Sequence, residues 1–100
     1  MKKRPRKSTY FVYIVECKSG TYYTGYTNNL KNRIKKHNAG TGAKYLKGKG
    51  PVELVFAKRY IYLKCALNEE LRIKKLARLQ KVNFIKTNKK ETIKIEKMLK

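Results

Sequence analysis

The chain has 100 residues, 41% of them hydrophobic, with 27 Lys and Arg against six acidic residues and a formal charge of +21. This length allows one domain with a single modest core, and such a charge points to a polyanionic partner, nucleic acid first and an acidic membrane surface second. All six acids are glutamates and there is one histidine, which excludes aspartate-rich two-metal sites, calcium loops, HExxH metalloproteases, His-rich zinc sites and a Ser-His-Asp triad.

Residues 1–8, MKKRPRKS, contain five basic residues and Pro5 and read as a disordered arm, either a solvated tail or a grip on phosphates. The apolar run that follows, FVYIV, is too short for a signal peptide and is cut by Glu16. No stretch approaches the roughly 20 apolar residues of a membrane helix. The expectation is a soluble, cytoplasmic protein with no membrane partner. Cys17 and Cys65 form no CxxC pair and are expected to be small buried thiols of a reducing compartment.

Tyr10 to Cys17 reads as a first strand with two largely apolar faces, which suits a strand covered on both sides. Lys18-Ser19-Gly20 is the turn and Thr21 to Tyr26 the second strand. A three-residue loop with Gly20 left-handed pairs Val15 with Tyr23 and Tyr13 with Gly25. Tyr13 and Tyr23 then share a face as diagonal neighbours, roughly 7 Å apart. A two-residue turn would put them on opposite faces. Gly25 leaves room opposite Tyr13.

Thr27 is the expected N-cap of a helix from Asn28 to His37, with Gly40 after its end. With Leu30 at zero, Ile34 falls at about 40°, His37 at about 340° and Arg33 at about 300°. Arg33 and His37 therefore stack one turn apart at the edge of the buried face, while Lys31, Asn32, Lys35 and Lys36 face solvent. The loop from Asn38 to Pro51 holds four of the six glycines and three lysines around Tyr45. It is no P-loop, because no GK[ST] follows its glycines. Lys44, Tyr45, Lys47 and Lys49, with Lys36, are the expected nucleic-acid contacts; a plain connector is the other reading.

A third strand runs from Val52 to Tyr60, with Val52, Leu54 and Phe56 on one face. The helix from Leu63 to Leu76 or Ala77 carries an inward stripe of Leu63, Ala66, Leu67, Ile73 and Ala77. Glu70, at about 340°, and Lys74, at about 20°, lie inside that stripe. Such a carboxylate is either half of a buried i, i+4 ion pair or is pointed at a site. Glu69 reads as a surface residue. Arg78 to Lys86 is expected as a short helix closing the core through Leu79, Val82 and Ile85, and residues 87–100 as a lysine-rich tail or frayed terminal helix.

In this order, Val12-Tyr13-Ile14, Tyr23-Thr24-Gly25, Arg33, His37-Asn38, the GAKY of Gly42 to Tyr45, and Glu70 resemble the signature of the GIY-YIG nuclease superfamily, in particular its small stand-alone bacterial members. The resemblance covers residues 9–86. Val12, Ile14 and Thr24 depart from the family wording, while both central tyrosines and Gly25 are kept. It implies an α+β fold in which a three-stranded antiparallel sheet is flanked by helices in the order β-β-α-β-α-α. It also implies metal-dependent hydrolysis of DNA phosphodiesters.

Carried onto this chain, the resemblance makes Glu70 the ligand of one divalent cation, Mg²⁺ or Mn²⁺. Arg33 holds the phosphate oxygens. Tyr13 takes the proton of the attacking water and Tyr23 places or shares it. His37 is an alternative base or orients Tyr13, and the order of these three is left open. A standing phenolate at pH 7 costs roughly 4 kcal/mol. Tyr22, Tyr26, Tyr60 and Tyr62 are expected to pack. The reading of a different class is a non-catalytic basic DNA- or RNA-binding module. With no recognition domain in view, specificity is low or is left to a protein partner.

Overall fold

The computed structural model describes residues 9–40 and 51–99. The first strand, β1 (Tyr10–Glu16), lies in the middle of a three-stranded antiparallel sheet. β2 (Tyr22–Thr27) pairs along one side of it and β3 (Glu53–Tyr60) along the other, in the order β2-β1-β3. Phe11, Val12, Tyr13, Ile14 and Val15 are all buried, because helices cover both faces of this central strand. The β1–β2 turn has three residues. Gly20 is left-handed at φ +90°, a conformation that suits glycine, and the Cys17 N–H donates to the Thr21 carbonyl at 2.8 Å. The register is therefore Val15 to Tyr23 and Tyr13 to Gly25.

The third strand departs from expectation. Ile14 pairs with Phe56 but Val15 pairs with Leu54, so Val55 is an extra residue in a bulge. The bulge reverses the alternation of faces. Val52, Leu54 and Ala57 join Tyr13, Val15 and Phe11, whereas Phe56 sits on the opposite face with Val12 and Ile14.

The first of these faces is covered by α1 (Leu30–Asn38), through Leu30 and Ile34, and by α4 (Lys89–Leu99), through Ile95 and Leu99. The second is covered by α2 (Leu63–Lys74), through Ala66 and Ile73, and by α3 (Arg78–Thr87), through Phe84 and Ile85. The architecture is α+β with helices on both sides of the sheet.

Several local expectations are corrected. α1 begins at Leu30 with Asn29 as its N-cap, the Asn29 Oδ1 accepting from the Asn32 N–H at 3.1 Å. The Thr27 hydroxyl accepts from the Asn29 N–H instead, a turn placed just before the helix. α2 stops at Lys74, so Ala77 becomes the N-cap of α3, and Leu63 is exposed in the first turn. Leu79 is 79% exposed and closes nothing. That work falls to Ile85 and to Phe84, whose ring centroid lies 4.7 Å from that of Phe56. Cys17 is buried, but Cys65 is exposed. Tyr26 and Tyr62 are exposed as well and do not serve as packing residues.

The lysine-rich C-terminal segment is docked rather than frayed. Thr92, Ile95 and Leu99 make a stripe at helical spacing, with Thr92 and Ile95 buried. The Thr92 hydroxyl accepts from the Ala57 N–H of the edge strand β3 at 3.2 Å, a group the sheet leaves without a ladder partner on that side. At the other end of the fold the Asn38 Oδ1 accepts from the Val52 N–H at 2.7 Å. This bond ties the end of α1 to the entry of β3. Among the described residues no helix is long and apolar enough to cross a membrane.

Candidate active site

Tyr13 lies in the central strand with its side chain wholly buried on the α1 face. Its phenol runs across Gly25 of β2: a Cβ at that glycine would stand 2.6 Å from the Tyr13 hydroxyl. The space that Gly25 leaves is thus filled by the phenol itself. Arg33 and His37, one turn apart on α1, reach the same oxygen. The Arg33 Nε–H donates to it at 3.4 Å, and the hydroxyl lies 2.8 Å from the His37 Nε2.

Arg33 donates to the phenol oxygen, and the bond between that hydroxyl and the His37 Nε2 runs in either direction according to which ring nitrogen carries the imidazole proton. Tyr23 closes the group. Its ring centroid is 6.4 Å from that of Tyr13 and 5.6 Å from that of His37, edge-on to the latter. His37 is buried rather than at the edge of the helix face, and Arg33 is half-buried.

The electrostatics follow from this burial. Burial raises the Tyr13 phenol from its ordinary value to about 12, against the lowering effect of the Arg33 hydrogen bond; Tyr23 and Glu70 add to the rise. His37 is held below its ordinary value by burial and by the Arg33 charge. The hydrogen bond to Tyr13 keeps Arg33 firmly protonated. The phenol is therefore neutral at pH 7, and so is the imidazole.

Glu70 approaches from the other side of the sheet, on the buried face of α2 with Ala66 and Ile73. Of its two readings, the i, i+4 ion pair is present. Its Oε2 stands 3.6 Å from the Lys74 Nζ, with the lysine side chain 50% exposed and the glutamate 11%. Its charge also acts on Tyr13 through space. Glu69 is not a free surface residue, for it accepts from the Tyr60 hydroxyl at 2.9 Å and from Arg72 at 2.6 Å. Lys36 is exposed, while Lys44, Tyr45, Lys47 and Lys49 lie outside the described residues.

The model of the GIY-YIG catalytic domain matches residues 9–83. The chain belongs to the GIY-YIG family. Its relatives include a UPF0213 protein of Oceanobacillus iheyensis, 44% identical over 82% of this chain and 95% of that one, and one of Clostridium perfringens, 51% identical over 75% and 81%. The solution structure of the UPF0213 protein BH0048 from Bacillus halodurans is 42% identical and superposes with a TM-score of 0.54 over 79% of this chain and 84% of that one. The protein EF2693 from E. faecalis is 34% identical and superposes with a TM-score of 0.58 over 84% and 90%.

Within this GIY-YIG domain, one hydroxyl went unread in the sequence. Thr24 Oγ1 is buried and, among the described residues, makes no hydrogen bond. It pairs with Ile14 and so faces α2, the side from which Glu70 comes. A buried carboxylate with one long ionic contact and an unused hydroxyl on the same face suit a hydrated hard cation. No group of three or more His, Cys, Asp or Glu among the described residues could hold a metal ion. A cation here would rest on one carboxylate and keep most of its shell for water and phosphate, as Mg²⁺ commonly does.

The close approach at Gly25 gives a direct prediction. Gly25→Ala should cost about 1–3 kcal/mol in urea unfolding, because the fully buried Tyr13 ring must move off its contact with His37. In a Tyr13→Ala background, where the added methyl meets no ring, the penalty should disappear. Equal penalties in both backgrounds would mean that the phenol is not what the glycine accommodates.

Proposed function

We infer that this GIY-YIG domain is a cytoplasmic, divalent-metal-dependent endonuclease that hydrolyses DNA phosphodiester bonds. The observation that carries the reading is the chain of groups from Arg33 through the Tyr13 oxygen to the His37 Nε2. A module that only binds has no use for a buried tyrosine hydroxyl held between a guanidinium and an imidazole.

Glu70 is the residue that would hold Mg²⁺ or Mn²⁺, which supplies Lewis-acid stabilisation of the phosphodiester oxygens when bound. Arg33 binds the phosphate through its outer N–H groups and steadies the charge that develops there. Tyr13 takes the proton of the attacking water while passing its own to His37. This relay is preferred to a standing phenolate on magnitude: with the phenol at about 12, ionising it at pH 7 would cost about 7 kcal/mol. His37, neutral at that pH, accepts without such a cost. Tyr23 packs against both rings and fixes their geometry.

The non-catalytic binder remains the second reading because of the Glu70–Lys74 ion pair, which gives the carboxylate a purely structural partner. Cleavage separates the two. Purified protein should nick plasmid, branched or single-stranded DNA in the presence of Mg²⁺ or Mn²⁺ and stop on addition of EDTA. Absence of cleavage on all three substrates with either metal leaves the binder.

A further inference from the structure

Beside β2, on the face covered by α2 and α3, Thr21, Tyr22, Arg78 and Lys81 line an open cleft of about 240 Å³. The Arg78 guanidinium lies over the Tyr22 ring, 4.8 Å from its centroid. Stacking of this kind holds the plane of the guanidinium and leaves its N–H edge free to donate. Arg78 and Lys81 are three residues apart in the first turn of α3, which holds no acidic residue.

Two cations at the positive end of a helix dipole are unfavourable in themselves. Neither makes an ion pair among the described residues. Glu16, opposite Tyr22 in the register, is the carboxylate nearest in the sheet, yet it bridges to neither. The arrangement is unfavourable in the free protein, and a bound anion would offset it.

Tyr22 and Gly25 stand on the same edge strand, three residues apart, which is about 10 Å of strand and within reach of neighbouring phosphates of one DNA strand. Tyr22 also lies on the sheet face from which Glu70 approaches. Resting on the nuclease reading above, we propose that the Arg78–Lys81–Tyr22 cleft is a backbone subsite that holds the DNA strand to one side of the scissile phosphate. Lys81 and the edge of Arg78 contact phosphates, and Tyr22 supports the arginine.

The test is binding of a fluorescein-labelled 20-nucleotide single strand in EDTA, by anisotropy, from 50 to 200 mM salt. Arg78→Gln/Lys81→Gln should weaken binding about tenfold and lower the salt slope by about 1.4, the amount expected for two lost phosphate contacts on a single strand. The comparison pair is Lys94→Gln/Lys97→Gln, two exposed lysines at the same spacing on α4, which packs on β3 at the other edge of the sheet. It removes the same charge and should change affinity less than twofold. Equal effects from the two pairs would reduce the cleft to a share of the general positive field and overturn the proposal.

Tyr22→Leu, which keeps an apolar side chain on the core, should weaken binding about threefold, as for a lost stacking support. Unchanged affinity would remove the tyrosine from the subsite. Hydrolysis of bis(p-nitrophenyl) phosphate, a diester with no flanking strand, should stay within twofold of wild type in Arg78→Gln/Lys81→Gln. A wild type that hydrolyses neither this diester nor DNA sinks the nuclease reading, while the binding comparison still decides the subsite.

Discussion

Tyr13→Phe should lower the rate of DNA cleavage by about 10²–10⁴, the usual worth of a positioned proton-transfer group, and should change its pH dependence as well. In the proposed relay the acceptor is His37. Burial and the Arg33 charge hold it below the ordinary imidazole value, so activity should persist as pH falls to about 6.5 and decline below it. Without the phenol, water no longer reaches the imidazole through Tyr13, and the residual activity should lose that acid limb.

Stability changes with pH in the same window for a separate reason. The unfolded chain takes up a proton on His37 at about pH 6.5, whereas the folded protein takes it up only at lower pH. Stability therefore falls as pH drops below that point. Tyr13 acts at the alkaline end: its folded value is raised to about 12, so its contribution is complete below pH 10 and is lost as pH rises toward 12. The phenylalanine variant leaves the Arg33 Nε and the His37 Nε2 without the oxygen between them, at about 1–3 kcal/mol. Urea unfolding at each pH is needed beside the rates. Cleavage within threefold of wild type, with the acid limb intact, would remove Tyr13 from the relay.

Where local chemistry dictated geometry, the sequence could be read. Gly20 and the three-residue turn set the hairpin register, and the register alone put Tyr13, Tyr23 and Gly25 together. Arg33 and His37 met because helical spacing stacks them, and Glu70 stood out as a charge in an apolar stripe. The bulge at Val55 was invisible because Val52, Leu54 and Phe56 alternate as well as any strand does, and the slip comes from pairing with Ile14 and Val15. α4 was hidden by its lysines. Its docking rests on Thr92, Ile95 and Leu99, and one of these is a hydroxyl whose value lies in a distant Ala57 N–H. The direction of the Tyr13 shift was also hidden, since the charges that lower it are countable in a sequence but the burial that outweighs them is not.

Glu70→Gln should separate activity from stability. If the carboxylate holds the cation, the isosteric amide should lower metal-dependent cleavage by about 10³ or more, the scale on which lost electrostatic stabilisation of a transition state is felt. The fold should survive. The Lys74 contact at 3.6 Å involves a lysine side chain that is 50% exposed, and such pairs contribute about 0–1 kcal/mol. Against that stands the relief of a desolvated charge, so the unfolding midpoint should stay level or rise. A buried charge that is neutral or costly for stability is the pattern of a group kept for its chemistry. Lys74→Gln is the companion variant: it removes the same ion pair from the other side and should leave cleavage within about threefold. A structural Glu70 predicts the opposite pattern, with both variants equally destabilised and cleavage, where present, affected by neither.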